Sequence, residues 1–283
     1  VAYMPAAALA PVRDGWDVAN GALWMSAGAA IAVAWLLARI AGRAAGGAQR
    51  GEADPSHDAR RAAALRAALA WLVYPPLVVT VSTGTSDVLL AALLAAALAL
   101  AHRRLASASL IVLAGWFKLV PFALLPIWLA RLHGRRLAAA LALLAASAAV
   151  TLAALVALGG AGAPGRMLHA LAFQLDRRTL DSPWPLLGIE WLQPLAQAGV
   201  LALVAAATVR ARRDPALAED PARLAALAGA VMLALQLSGN YWTYLYLAWA
   251  IPCIVVSLLA TTPHSAPQPV AARSGRTLEP ALV

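Results

Sequence analysis

The chain has 283 residues, 62% of them hydrophobic and 12% charged, a balance too apolar for a soluble core and typical of a protein that crosses a bilayer several times. Its net charge of +9 comes from arginines scattered in short loops between apolar segments, which excludes a continuous nucleic-acid-binding face. A single cysteine, Cys253, excludes an internal disulfide framework and a thiolate metal cluster.

The chain opens at Val1 with no basic n-region, apolar h-region or cleavage site, so no signal peptide is visible and further residues are expected upstream. Tyr3, Pro5, Asp14, Trp16 and Asp17 come before the first apolar stretch. The two aspartates read as part of a polar loop entering that helix, or one of them as a catalytic carboxylate.

Asking for about 20 apolar residues per span places seven candidates. They run from Asn20 to Ala41, Ala62 to Val81, Ser86 to Ala101, Leu137 to Leu158, Leu192 to Val209, Ala222 to Leu237 and Tyr241 to Ala260. Tyr74-Pro75-Pro76 predicts a kink in the second, because proline removes a helical hydrogen bond. Ser82-Thr83-Gly84-Thr85-Ser86-Asp87 forms a polar turn before the third. Asp87 suits a helix start, where it would cap free N–H groups, and it could equally bind a sugar hydroxyl or a cation.

Between the third and fourth spans lies an apolar stretch, Leu105 to Ala130, interrupted by a lone Lys118 and flanked by Arg103, Arg104, Arg131, Arg135 and Arg136. With both flanks cytoplasmic, the stretch dips in and returns: two limbs of about 12 residues each reach about 18 Å into a core roughly 30 Å thick. Lys118 and Pro121 then sit at the turn, where an ammonium needs an anionic or carbonyl partner. The alternative is one tilted helix with a snorkelling lysine, which would invert everything after it. Under the hairpin arrangement Arg13, Arg166, Arg177 and Arg178 are the only arginines left outside, as the positive-inside bias requires.

The longest outer loop holds Arg166, His169, Asp176, Arg177, Arg178, Asp181, Ser182 and Trp184, and Glu190 heads the next span. Adjacent arginines there oppose the charge bias, so an anion holds them: lipid headgroups, a specific phosphate, or Asp176 and Asp181. His169 reads as a loop histidine or as part of that site. His57, His102, His133 and His264 share no metal-ligand spacing, and a divalent metal is left open. Trp242, in the last outer turn, anchors at the interface or, with Tyr244 or Tyr246, stacks on a sugar. Residues 261–283, rich in Pro, Ala, Ser and Arg, read as a disordered cytoplasmic tail behind a membrane domain of residues 1–260.

The Ser82–Asp87 turn, Trp116-Phe117-Lys118-Leu119-Val120-Pro121, Phe173 to Trp184, the opening Tyr3-Met4-Pro5 and Trp16-Asp17, and the closing Tyr244-Leu245-Tyr246-Leu247-Ala248-Trp249 together resemble, in order and spacing, actinobacterial membrane proteins of the glycosyltransferase 87 family. The resemblance implies an all-α, polytopic bundle of the GT-C type with about seven spans and a re-entrant hairpin, set in the plasma membrane with its active face extracytoplasmic. It implies transfer of a sugar, often mannose or arabinose, from a polyprenyl-phosphate donor to a cell-envelope glycan or glycolipid, with no cofactor evident. Lys118, Arg177 and Arg178 would bind the donor phosphate, and His169, Asp176, Asp181, Ser182, Trp184, Glu190 and Trp242 would contact sugar or acceptor. Members of the class carry a catalytic aspartate in the first outer loop, expected here before Val1, with Asp17 and Asp87 as the visible candidates. A transporter or flippase of an anionic lipid or sugar is the competing reading.

Overall fold

The computed structural model describes residues 15–47, 57–176, 182–239 and 246–260. Among them the chain is helical and holds no strand. Helix α1 (Gly15–Gly47) runs several residues beyond the expected first span, and α2 (His57–Leu72) returns along it. The antiparallel pairing is fixed at two depths: the buried Trp71 indole donates to Ala30 O at 2.9 Å, and Gly42 lies against the backbone of Arg60. Between the first two expected spans, residues 42–47 and 57–61 are thus helical.

Helix α3 (Pro75–Ser82) continues α2 after a bend of 58° at Tyr74-Pro75-Pro76, where the ring nitrogens cannot extend the α2 hydrogen-bond ladder. The following turn needs Gly84 at φ +60, and a Cβ there would stand 3.3 Å from Ala22 Cβ. Ser26 Oγ also donates to Thr85 O at 3.1 Å, so the turn is seated on α1. From it starts α4 (Asp87–Ala99), buried on most of its circumference through Val88, Leu90, Ala91, Leu94, Ala95, Ala97 and Leu98.

The stretch holding Lys118 doubles back as the charge distribution predicts. Helix α5 (Arg104–Phe117) stops at Lys118, a 3₁₀ turn covers Val120–Leu124, and α6 (Leu125–Leu129) descends. The limbs touch at every level: Phe122 lies against Gly115 and packs edge-on to Trp116, Trp128 Nε1 donates to Ser107 Oγ at 2.7 Å, and Arg104 Nη1 donates to Arg131 O at 3.2 Å. A through-going helix would hold Arg104 and Arg131 far apart. Cysteines placed at the exposed Arg103 and Arg135, in a Cys253→Ala background, are therefore expected to react with a membrane-impermeant thiol reagent from one and the same side. Labelling from opposite sides would rule the hairpin out.

Helix α7 (Gly134–Gly159) follows, then α8 (Ala163–Asp176), α9 (Pro183–Leu187), α10 (Gln193–Arg213), α11 (Pro215–Glu219), α12 (Pro221–Ser238) and α13 (Leu247–Leu259). Small residues let α12 and α13 approach closely; a Cβ on Gly229 would stand 3.3 Å from Cys253 Cβ. The core is built from α1, α2, α4, the hairpin, α12 and α13, with α10 packed outside α6 and α12. None of the apolar window of α7 is buried, and Val150, Leu152 and Leu158 face outward, as lipid contact requires.

Among the described residues four helices are long and apolar enough to cross a membrane, and the α2–α3 pair makes a fifth if its bend belongs to one span. The remaining two expected spans are represented by α4 and α13, 13 residues each, which extend only about 20 Å. Among the described residues seven full-length spans are therefore not reached on helix length. Asp87 and Trp249, in the first turns of α4 and α13, are both buried.

Candidate functional site

Two lone charges in apolar surroundings meet at one end of α4. Asp87, in its first turn, is 3% exposed, and Lys118, at the hairpin tip, donates from Nζ to Asp87 Oδ1. The same oxygen accepts from Trp249 Nε1 at 2.6 Å. Lys118 Nζ also lies 4.7 Å from the Trp249 ring centroid and 5.2 Å from that of Tyr246, and the two rings are stacked 4.3 Å apart. An ammonium facing a carboxylate and two π-faces is neutralised without bulk water.

Local sequence explains each position. Gly84 and the seat on α1 deliver Asp87 to the start of α4, where a carboxylate also complements the helix dipole. Its side-chain partners are the Lys118 ammonium and the Trp249 indole, so at the helix start it serves an ion pair. Lys118 is in extended backbone conformation (φ −145, ψ 134), because Pro121 denies the helix its next donor and the chain must turn. Its side chain keeps 27% exposure, whereas that of Asp87 keeps 4%. The lysine therefore faces an opening with N–H donors to spare, since an ammonium carries three.

The other expected site residues divide sharply. Ser182 is buried, and its hydroxyl donates to Gly239 O at 3.2 Å. Trp184 Nε1 donates to Leu237 O at 2.9 Å, and Gln193 Nε2 to Ser238 O at 2.9 Å. These donors satisfy the last carbonyls of α12, which have no intrahelical partner. Ser182 and Trp184 thus pin the outer loop to α12. His169 on α8 and Glu190 are exposed, and no hydrogen bond or ion pair among the described residues joins them to the Asp87–Lys118 pair. Asp17 lies in the first turn of α1, at the same end as the Gly84 turn, and Asp176 closes α8. Their side chains fall outside the described residues, as do Arg177, Arg178, Asp181 and Trp242 entirely.

Sequence reasoning demanded a partner for Lys118 without choosing Asp87, offered Tyr246 as a sugar-stacking ring, and treated Trp249 only as part of a motif. A usable signal was present: they are three residues apart at a helix start, so both face one side.

The opposite end of the bundle is basic. Arg104 Nη2 bonds Glu219 Oε1 at 2.6 Å, Arg210 pairs with Asp214, and Arg223 pairs with Asp220, the residue that caps α12. Arg131 is 2% exposed and donates from Nη2 to Ala101 O at 2.6 Å. Burial, with Arg104 adding to it, pushes the Arg131 guanidinium down to about 10, still fully protonated at neutral pH.

A helical bundle with long apolar helices, a helical hairpin, arginines at one end and a buried carboxylate paired with an ammonium toward the other is the architecture of an integral membrane protein. The model of Glycosyltransferase family 87 matches residues 3–239, most of the chain, and the chain belongs to that family. It is thus a membrane glycosyltransferase by family. No curated protein and no solved structure matches it.

Proposed function

We propose that the chain moves a sugar, of mannose or arabinose type, from a polyprenyl-phosphate donor to a cell-envelope glycan or glycolipid on the extracytoplasmic side of the plasma membrane. The observation that carries this reading is the partly exposed Lys118 ammonium held by the buried Asp87 at the tip of a re-entrant hairpin. The donor's isoprenoid keeps its phosphate at the interface, within reach of a cation recessed just below it.

As the glycosidic bond breaks, its electron pair stays on the phosphate oxygen and negative charge grows there. A fixed ammonium therefore stabilises the transition state more than the ground state. Arg177 and Arg178, adjacent cations on the outer loop, supply further charge to the same anion in this scheme. The acceptor hydroxyl attacks the anomeric carbon opposite the phosphate, inverting it, and a carboxylate takes its proton. Asp87 Oδ1 already accepts from two donors, so we assign Asp87 to holding Lys118 and leave Asp17, at the same end of the bundle, as the carboxylate available within this chain.

The test is reconstitution of the protein in proteoliposomes with a polyprenyl-phosphate mannose or arabinose donor and a short glycan acceptor. The expected result is a glycosylated acceptor with stoichiometric loss of the donor. Translocation of the donor with no glycosylated product would replace this reading with that of a flippase.

A further inference from the structure

The hairpin is riveted to α4 at three depths, and the lowest rivet lies a helix length away from the lysine. At the top, Lys118 meets Asp87 at the N-terminus of α4. About one turn above the base, the buried Ser107 hydroxyl donates to Ala97 O at 2.6 Å while accepting from Trp128 Nε1, tying α4 to both limbs. At the base, Arg131 donates to Ala101 O, and Arg104, which starts the ascending limb, donates to the carbonyl of Arg131 itself.

The base rivet is a charged one in a place where charge is costly. Arg131 is among the largest fully buried side chains in the protein, and its guanidinium ends at a carbonyl just beyond the C-terminus of α4, where the helix dipole is negative. Asp87 sits at the positive end of the same helix. Helix α4 thus carries a buried acid at its start and receives a buried cation at its finish, and the hairpin supplies the partner at both. Sliding the hairpin along α4 by one residue, about 1.5 Å, would break both contacts together.

We infer that Arg131 is a positioning residue for Lys118: by fastening the foot of the hairpin to the end of α4, it sets the depth at which the lysine is presented. This rests on the reading that Lys118 acts in sugar transfer. Arg131 touches no substrate; it acts through the rigid limbs, and α5 alone separates it from the tip by about 20 Å.

A double-variant cycle on the full chain in proteoliposomes tests this, with Arg131→Met, Lys118→Ala and their combination assayed for kcat and KM. The expected result is a loss of tenfold or more in kcat for Arg131→Met with KM within twofold, and a combined variant no slower than Lys118→Ala alone. Sites this far apart ordinarily act independently, so losses that multiply would overturn the inference while leaving the role of Lys118 standing. Full activity in Lys118→Ala would overturn both. Should Arg131→Met fail to fold, Arg131→Lys takes its place in the cycle: it keeps the charge and loses the fork, and is expected to fall between wild type and Lys118→Ala in kcat. Arg131→Lys with wild-type kcat, or with losses that multiply, would overturn the positioning role.

Discussion

Replacing Lys118 by Ala is expected to lower kcat for sugar transfer by about 10²- to 10³-fold, the usual cost of removing one preorganised donor from a developing oxyanion. KM should change little, because charge on the departing phosphate grows mainly in the transition state. Steady-state kinetics on reconstituted protein decide it. The substitution also strands Asp87, 3% exposed, without its cation, so part of the loss could come from a damaged fold. Lys118→Arg separates the two effects: charge returns, but the fork cannot reproduce one ammonium set against Asp87 and two stacked rings. Partial recovery of stability with little recovery of kcat is the expected pattern. A Lys118→Ala protein with wild-type kcat would end the phosphate-binding role.

The largest stability effect is expected at Asp87. Asp87→Ala removes the acceptor for both the Lys118 ammonium and the Trp249 indole, leaving a cation and a donor at depth without their partner. Breaking a buried pair typically costs 3–5 kcal/mol. Because Lys118 retains 27% exposure and is partly hydrated, about 2–4 kcal/mol is the expected loss. Thermal unfolding in detergent, followed by intrinsic tryptophan fluorescence, measures it. The charge-neutral pair Asp87→Asn with Lys118→Met should recover most of that stability, since an amide oxygen still accepts from Trp249 and no ammonium is left unpaired. It should recover none of the activity. Restored transfer in that double variant would show that the ion pair serves the fold alone.

Much of the architecture was legible before any coordinates. The positive-inside bias forced both flanks of the Leu105–Ala130 stretch to one side, and the Arg104 and Arg131 contact is the geometric form of that argument. The Tyr74-Pro75-Pro76 kink followed from missing donors, and the structure bends there. The site was less legible. Ser182 and Trp184 were legible as polar residues of the loop, but it was not legible that their donors close the end of α12, where the free carbonyls of a helix terminus compete for any nearby hydroxyl or indole. The seven-span count rested on apolar length, which does not distinguish a full crossing from short helices such as α4 and α13.

The sequence by itself determined that this protein lives in a membrane, that it is helical, which end carries the arginines, and that Lys118 must be neutralised, since composition, periodicity and the energy of an isolated charge are local properties. Only the tertiary structure decided that Asp87, Tyr246 and Trp249 neutralise it and that Arg131 anchors the foot of the hairpin. Asp87 is 31 residues from Lys118 and 162 from Trp249. Among several carboxylates of equal chemistry, the choice of partner is made by packing, which brings distant helix ends to one depth.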